Sequence, residues 1–285
     1  MALPHNWGFM HTTQTGICVA AVQMVSTTNV EQNLVAAAQL IEEAARRGAR
    51  LVVLPEYFCL MGKRDRDKVA MREADGKGPI QDFLAEQAAR RHIWLFGGTL
   101  PLVAPDPERV FNSVLVFDPA GRRVARYDKI HLFSFRTGDE AYDEARTIAP
   151  GREPVSVQCT IGDSSIRVGL SVCYDLRFPE LYRQLQGADL IIVPAAFTAT
   201  TGQAHWEALL RARAIENLCY VLASAQGGRH ENGRATFGHS MLIDPWGEVL
   251  AVHPTGAGVV VGTVEPQRIA SCRLSLPALA HRVLS

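Results

Sequence analysis

The sequence of 285 residues predicts an α/β protein, a four-layer α-β-β-α sandwich built from two pseudo-symmetric halves. Three observations support this fold class. Short apolar runs alternate with longer helical patterns along the chain, and runs 51–54 and 190–193 are apolar throughout, as in strands buried on both faces. The second half of the sequence also repeats landmarks of the first. Alternating strands and helices indicate sheets covered by helices, and two such sheets packed face to face give four layers.

The first half contains two helical patterns separated by short strands. Asn29 is a suitable N-terminal cap for the first helix, and Gly48 suits its C-terminal stop. An Asp-Pro-Ala-Gly sequence at 118–121 predicts a hairpin turn. The elements predicted in order are strand 17–23, helix 29–48, strand 51–54, helix 80–92, strand 93–96 and a hairpin of strands 113–117 and 123–127.

The second half repeats these features in the same order. Gly-Ala-Arg-Leu-Val-Val-Leu-Pro at 48–55 is matched by Gly-Ala-Asp-Leu-Ile-Ile-Val-Pro at 187–194. A helix followed by a strand recurs at 204–222, and a second Asp-Pro-x-Gly turn begins at Asp244. Two polar loops, 134–146 and the glycine-rich 226–238, are predicted to be solvated or functional. We interpret 17–285 as one domain preceded by an extension, 1–16.

The composition excludes several classes of protein. Lys+Arg and Asp+Glu both number 29, so the formal net charge is zero, and 47% of the residues are hydrophobic. This balance argues against a disordered chain and against a nucleic-acid binder, which needs a basic face. No apolar run is long enough to predict a membrane span, and the first sixteen residues lack the pattern of a signal peptide. The six cysteines form no close CxxC pair, so we expect free thiols, no metal site and a cytoplasmic location.

Cys173 is the first candidate for chemistry. It ends the apolar run 168–172 and precedes a polar turn, so it is expected at the carboxyl edge of a sheet, where α/β enzymes place their active sites. A helix start after it would offer backbone N–H groups and favour the thiolate. The alternative is a buried, inert cysteine, which is the commoner case for a cysteine taken alone.

Three charged residues accompany this cysteine as candidates. Glu56 follows the buried strand 51–54, Lys129 follows the hairpin, and Glu144 lies in an acidic stretch. Each also has a non-catalytic interpretation: Glu56 as a salt-bridged carboxylate, Lys129 as a solvated lysine and Glu144 as a solvent-exposed surface residue. Together with Cys173 they supply the parts needed for acyl transfer: a soft nucleophile, a carboxylate to take its proton and a cation for the oxyanion.

Three segments in this order resemble the signature segments of the nitrilase, or carbon–nitrogen hydrolase, superfamily. They are Leu-Pro-Glu at 54–56, Tyr-Asp-Lys-Ile-His-Leu-Phe at 127–133 and Cys-Tyr-Asp-Leu-Arg-Phe-Pro-Glu at 173–180. The resemblance extends from about residue 17 to residue 273. It implies the nitrilase-like α-β-β-α sandwich and a catalytic triad of Glu56, Lys129 and Cys173. It also assigns the family's second glutamate to Glu144, and it implies no metal or organic cofactor.

Within the superfamily the chain most resembles the Nit branch, which contains ω-amidases and deaminated glutathione amidases. Segments 196–197 and 200–207 are similar to both, whereas 210–216 and 226–240 are more similar to the second group. Ser134 departs from the family pattern, which commonly has aspartate there, and the first sixteen residues have no counterpart. The resemblance implies a small-molecule amide substrate, no nucleic-acid or membrane partner, and a homodimer or larger homo-oligomer.

Four further residues are expected to bind the substrate. Arg177 suits a bidentate contact with the carboxylate of a 2-oxo acid, although it can alternatively pair with Glu180 on the same helical turn. The backbone N–H of Tyr174 is expected to bind the oxyanion. Phe197 and Thr201 line the site by resemblance, and Thr201 can alternatively be a helix cap. The glycine-rich loop would accommodate a Cys-Gly leaving group, which favours deaminated glutathione over 2-oxoglutaramate.

The sequence is also compatible with other functions. Another small-molecule amidase or an N-carbamoyl hydrolase fits the same residues. A Cys-His hydrolase would pair Cys173 with His131, His205 or His239, although each histidine is also explained as a hydrogen-bonded loop or helix residue. An interaction protein that lost its activity is expected to have lost a triad residue, and all three are present.

Overall fold

The computed structural model describes residues 16–138 and 140–283. Apart from Gly16, the predicted extension 1–16 lies outside these residues, as does position 139 of the first polar loop. The α-helices are α1 (Val30–Arg46), α2 (Asp67–Ala70), α3 (Pro79–Arg91), α4 (Pro179–Gln184), α5 (Ala199–Asn217) and α6 (Pro266–Ser275). Short 3₁₀ helices occupy Glu144–Arg146 and Cys173–Arg177.

The strands form two large sheets and two small hairpins. They are β1 (Ile17–Gln23), β2 (Leu51–Val53), β3 (Trp94–Phe96), β4 (Leu100–Val103), β5 (Val110–Phe117), β6 (Arg123–Asp128), β7 (Ser134–Thr137), β8 (Glu140–Asp143), β9 (Ile148–Ala149), β10 (Ser156–Ile161), β11 (Ser164–Leu170), β12 (Leu190–Ala195), β13 (Tyr220–Ala225), β14 (Gly227–Arg229), β15 (Ala235–Phe237), β16 (Ser240–Ile243), β17 (Val249–His253) and β18 (Gly258–Val264).

The two large sheets share the arrangement of their central strands. The first has the order β18-β1-β2-β3-β5-β4, with β6 and β9 also paired to β5, and the second has the order β10-β11-β12-β13-β16-β17. In each sheet three neighbouring strands are parallel, β1-β2-β3 and β11-β12-β13, and an antiparallel strand follows them. The repeat found in the sequence therefore corresponds to the equivalent central strands of the two sheets.

The alternation of side chains along β1 explains the layers. Val19 and Ala21 belong to the core between the sheets, together with residues of the second sheet such as Leu170 and Ala223. Ala20 and Val22 point the other way, into a separate core with residues of α1 and α3 such as Ile41 and Leu84. On the far side Trp206 and Leu210 of α5 cover the second sheet. The predicted four-layer α-β-β-α sandwich is confirmed.

Most predicted elements of the first half are confirmed within a few residues. Asn29 caps α1 through its side-chain oxygen, which accepts from the Gln32 N–H at 3.0 Å. The predicted hairpin is β5–β6, and its turn is closed by the Gly121 N–H donating to the Asp118 carbonyl at 2.8 Å. Gly121 has φ of 76°, and a Cβ there would lie 2.7 Å from the Ala85 carbonyl oxygen, so glycine is required.

The two segments predicted as loops contain strands. Residues 134–146 include the hairpin β7–β8, and residues 226–238 include the hairpin β14–β15. These strands have only three or four residues each, too few for alternation of apolar and polar side chains to identify them. No helix in the described ranges is long and apolar enough to cross a membrane.

Candidate active site

Glu56 lies just beyond the end of β2, almost completely buried at 1% exposure. Its Oε1 accepts hydrogen bonds from Lys129 Nζ at 2.9 Å and from Asn112 Nδ2 at 2.9 Å, and its Oε2 accepts from the Ala196 N–H at 3.0 Å. Ala196 directly follows β12, so the carboxylate is held between the ends of corresponding strands of the two sheets. Three donors fix it in one orientation without solvent.

Lys129 is fully buried just after β6 and lies between two carboxylates. Its Nζ donates to Glu56 Oε1 at 2.9 Å and to Glu144 Oε2 at 2.7 Å. Burial alone would lower the pKa of Lys129, but Glu144 and Glu56 raise it, and the pKa lies well above its usual range. The lysine therefore stays charged at neutral pH. Its backbone is fixed by Gly151, whose N–H donates to the Lys129 carbonyl at 2.8 Å and whose missing Cβ would lie 2.1 Å from the Asp128 carbonyl oxygen.

Glu144 begins the short 3₁₀ helix after β8. Its Oε2 accepts from Lys129 and, at 2.7 Å, from the Phe133 N–H, while its Oε1 accepts from the Tyr57 hydroxyl at 2.8 Å. Burial tends to raise the pKa of this carboxyl, but the charge and hydrogen bond of Lys129 outweigh it, so the pKa lies below its usual value. Glu144 is therefore charged and bonded to the lysine rather than solvated.

Glu144→Gln is expected to lower thermal stability at about pH 7 and to flatten its decline in acid. Because the pKa of Glu144 is lower in the folded than in the unfolded chain, its stabilisation is present above the unfolded value, about 4.3, and is lost as the pH falls through the folded value. Calorimetric Tm values from about pH 7 to about pH 3 check this, with the exposed Glu86→Gln as control. A variant whose Tm falls as steeply as that of the wild type contradicts the assignment.

Cys173 lies at a sharp bend between β11 and α4. Its φ is 48°, a left-handed backbone conformation that is unusual for residues other than glycine. The residue is 6% exposed. The sequence predicted a helix start there, but residues 173–177 form a 3₁₀ turn and α4 begins only at Pro179. The predicted elbow is present; the predicted stabilisation of a thiolate is not. Burial, and then the charge of Glu56, raise the pKa of the Cys173 thiol well above its usual value, against a smaller lowering by Lys129.

Asp175 stabilises this bend, and the sequence did not predict it as a site residue. Its Oδ2 accepts from the Val172 N–H at 2.8 Å and from the Tyr127 hydroxyl at 2.7 Å, and its Oδ1 accepts from the His131 N–H at 3.0 Å. The carboxylate thus links the cysteine bend to the segment that carries Lys129. No pattern in one sequence distinguishes such a buried acid from an exposed one.

A small pocket beside Cys173 contains all four residues predicted to bind the substrate. Arg177 lies over the rings of Tyr174 and Phe197, with its Cζ 5.8 and 5.4 Å from the ring centroids. Its Nη1 is 3.3 Å from Nδ1 of His205. The lining residues are Phe133, Glu144, Cys173, Tyr174, Arg177, Ala196, Phe197, Thr198, Thr201 and Arg234.

The alternative interpretations of two of these residues are not supported. Within the described chain, no ion pair joins Arg177 to Glu180; the guanidinium points to the pocket instead. The N-terminal cap of α5 is Thr198, whose hydroxyl accepts from the Thr201 N–H at 3.2 Å. Thr201 itself lies at the third position of the helix, with its hydroxyl 2.9 Å from that of Thr198.

The three histidines considered as bases have other partners. The His131 ring contacts Asp175 at 2.7 Å and stacks on Phe178 at 3.8 Å. His205 contacts Arg177, and His239 Nδ1 is 3.0 Å from the Phe237 carbonyl oxygen. This arrangement favours the carboxylate and lysine over a Cys-His pair.

The sequence did not single out several residues that complete the site. Asn112 is one of them, and its Nδ2 donates to Glu56 Oε1. Tyr57 follows Glu56 in the sequence and bonds to Glu144, 87 residues away. Arg234 lies in the glycine-rich loop and reaches the Cys173 pocket, where its Nη2 donates to the Ala196 carbonyl at 2.8 Å.

The assembled groups have the chemistry required for acyl transfer. Burial and the charge of Glu56 hold the pKa of Cys173 well above its usual value, against a smaller lowering by Lys129, so the resting sulfur is a thiol that needs a base when it attacks. A fixed carboxylate and a permanently charged ammonium supply a proton acceptor and an oxyanion partner.

Comparison with known proteins agrees with this chemistry. A deaminated glutathione amidase of Synechocystis sp. (strain PCC 6803 / GT-S) is 43% identical over 268 residues, covering 93% of this chain and 97% of that protein. The solved C. elegans NitFhit protein is 37% identical with a TM-score of 0.84 over 94% of this chain, which spans only 65% of that longer chain. Saccharomyces cerevisiae Nit3, a member of branch 10 of the nitrilase superfamily, is 31% identical with a TM-score of 0.82, covering 92% of this chain and 94% of that one.

Residues 18–274 match the family Carbon-nitrogen hydrolase. The matched range includes strands of both large sheets and every residue of the site described above. The chain therefore belongs to the carbon-nitrogen hydrolase family and is an amide-hydrolysing enzyme.

Proposed function

We propose that this enzyme hydrolyses amides through a thioester on Cys173, with Glu56 as general base and acid and Lys129 as oxyanion partner. The observation that carries the proposal is the buried contact of Lys129 with Glu56 and Glu144 beside a cysteine at a strained bend. A buried lysine between two carboxylates and a cysteine at a sharp bend beside the same pocket form the arrangement expected of an oxyanion partner, a base and a nucleophile.

Acylation begins with attack of Cys173 Sγ on the amide carbonyl carbon while Glu56 takes the thiol proton. The negative charge that develops on the carbonyl oxygen is stabilised by Lys129 and by the Tyr174 N–H, each donor contributing about 3–4 kcal/mol in the transition state. The C–N bond then breaks as Glu56 returns the proton to the departing amine. A thioester on Cys173 and a free amine result.

Deacylation reverses the same proton transfers. Glu56 takes a proton from water, and the hydroxide attacks the thioester carbonyl carbon through a second oxyanion. The C–S bond breaks, the proton returns to sulfur, and a free carboxylic acid leaves. Glu144 accepts a hydrogen bond from Lys129 Nζ at 2.7 Å and would hold this lysine and the substrate amide in place, without itself forming or breaking a bond to carbon.

For the substrate we propose deaminated glutathione, cleaved to 2-oxoglutarate and Cys-Gly. The similarity to a protein named deaminated glutathione amidase over 93% of this chain supports this choice. Arg177, exposed to the pocket between two aromatic rings, suits the carboxylate beside the 2-oxo group. The alternative is an ω-amidase that acts on 2-oxoglutaramate, in which the departing amine is ammonia.

A side-by-side rate comparison tests this choice. We expect kcat/KM to be highest for deaminated glutathione, lower for 2-oxoglutaramate, and lower still for a simple nitrile and an N-carbamoyl amino acid. Product formation by chromatography measures all four substrates in one assay. Equal or higher efficiency on 2-oxoglutaramate would replace the proposed substrate, and preference for the nitrile or the carbamoyl compound would replace the reaction class.

We also propose a reducing compartment such as the cytoplasm, which the six free cysteines support. A homodimer or larger homo-oligomer is proposed as well, supported by the exposed apolar side chains of Trp246, Leu250 and Val252 around β17.

A further inference from the structure

A second, larger cavity adjoins the Cys173 pocket. Its volume is about 480 Å³, and it shares three lining residues with the small pocket: Phe133, Glu144 and Arg234. Arg177, Phe197 and Thr201 line only the small pocket. The sulfur thus has two sides, an Arg177 side formed by the small pocket and a Glu144 side whose lining residues are shared with the larger cavity.

The larger cavity is rich in positive charge. The cationic residues in its lining are Lys63, Arg64, Lys68, Arg229 and Arg234. The acidic residues there are Asp65, Asp143 and Glu144, and Glu144 is already bonded to Lys129. Such a lining favours a negatively charged occupant.

Arg234 presents unused hydrogen-bonding capacity at the boundary between the two cavities. Its Nη2 donates to the Ala196 carbonyl, and its Cζ lies 5.2 Å from the centroid of the Tyr142 ring. Its Nε is buried without a hydrogen-bond partner in the described part of the chain. A buried guanidinium N–H without a partner is costly, and a carboxylate is the ligand that best fits its geometry.

Lys68 is the second cation of interest in this cavity. Its Nζ donates to the Asp65 carbonyl at 3.0 Å and to Thr147 Oγ1 at 3.3 Å, which leaves one of its three protons available. Burial lowers the pKa of Lys68; the charges of Asp65 and Glu144 oppose this shift, and Arg234 and Lys129 add smaller lowering contributions. An anion placed beside Lys68 and Arg234 would favour the charged form of Lys68 and would offset the repulsion between the two cations.

The walls of the cavity are joined to each other. Asn232, in the β14–β15 turn, donates through Nδ2 to the Gly62 carbonyl at 2.8 Å. The Arg234 N–H donates to Asn232 Oδ1 at 3.0 Å, so the same asparagine orders the arginine. The cavity is therefore built into the fold around a bonded turn.

We propose that this cavity receives the amine half of the substrate and that Arg234, with Lys68, binds a carboxylate on that half. The inference rests on the proposed function, in which the acyl half lies on the Arg177 side, so the amine half must leave through the opposite side. Ammonia would not need 480 Å³, whereas an amine of dipeptide size fits a cavity of this volume. The amine released is thus expected to be a peptide-like amine with a free carboxylate.

The test compares deaminated glutathione with its C-terminal carboxamide in wild type, Arg234→Met and Lys68→Met. We expect the wild type to prefer the free acid by about tenfold to hundredfold in kcat/KM, chiefly through KM, as for one charged hydrogen-bonded contact. In both variants this preference should fall towards one. The loss with 2-oxoglutaramate, which has no such amine half, should be at least about fivefold smaller than the loss with the free acid. Arg90→Met, on the exposed face of α3, is the matched control and should change nothing.

Lys68→Met is included because Arg234→Met also removes a hydrogen bond to the Ala196 carbonyl. The N–H of Ala196 donates to Glu56, so that loss can disturb the active site independently of any carboxylate contact. Equal losses on acid and carboxamide in both variants would overturn the carboxylate contact. A larger loss on 2-oxoglutaramate would place the acyl half in this cavity instead. If the wild type hydrolyses none of these amides, the proposed function fails, and calorimetric binding of Cys-Gly against Cys-Gly amide still decides the inference: equal affinities overturn it.

Discussion

Cys173→Ala is expected to reduce amide hydrolysis by at least about 10⁴-fold, because removal of a nucleophile leaves only the remaining groups of the site to act on water. Alanine preserves the small size of the side chain at a bend where Cys173 already adopts φ of 48°, so the fold should be retained. The measurement is kcat with the preferred amide at saturating concentration, together with Tm to confirm folding.

The matched control for this variant is Cys18→Ala. Cys18 is the one cysteine of the six that is not buried, and it lies on β1, where its side chain packs with the α1 side of the first sheet. Its loss should leave kcat within about twofold of the wild type. Retention of more than about one hundredth of wild-type turnover by Cys173→Ala would contradict covalent catalysis at this sulfur.

Glu56→Gln is expected to lower kcat by about 10²–10⁴-fold, since glutamine fills the same space but accepts no proton. The same change removes the negative charge that helps to raise the pKa of Cys173. The pKa of the thiol should therefore fall, and the pH of half-maximal alkylation by iodoacetamide should move down while amide hydrolysis is lost. Easier alkylation of the thiol together with loss of hydrolysis distinguishes a missing base from a disordered active site, in which both reactions would be impaired.

Two outcomes would count against this role of Glu56. A kcat within tenfold of the wild type, with the variant folded, would mean that another group takes the thiol proton. Loss of hydrolysis together with an unchanged or higher pH of alkylation would mean that Glu56 does not set the electrostatics of the sulfur. The exposed Glu86→Gln serves as the control for loss of one carboxylate.

The positions of the main charged residues could be predicted because they follow strand ends. Glu56 follows β2 and Cys173 follows β11, and the repeat indicated that these strands belong to equivalent sheets. Polar residues at the carboxyl ends of parallel strands are exposed to one edge of a sheet, which is information that a single sequence contains. Lys129 after the hairpin and Glu144 in an acidic stretch were candidates by sequence position, and the resemblance then gave them their roles. In the structure Lys129 Nζ donates to Glu144 Oε2.

The site residues that the sequence did not predict owe their roles to tertiary contacts. Asp175 and Asn112 look like ordinary polar residues, and only the packing of β6 and the cysteine bend gives them their partners. The sequence also predicted the wrong direction for the shift in the pKa of Cys173. A helix start after the cysteine would favour a thiolate, but burial and Glu56 have larger effects than the short 3₁₀ turn. Desolvation of one atom cannot be read from neighbours in sequence.

The central claim, that Cys173 is transiently acylated, is tested most directly by mass spectrometry of enzyme mixed with deaminated glutathione and quenched in acid within the first turnover. A 2-oxoglutaryl group is expected on the peptide that contains Cys173, absent at time zero and from Cys173→Ala, and more abundant in the first turnover than after substrate is exhausted. Full turnover with unmodified Cys173 at every quench time, or with the acyl group on another side chain, would contradict it.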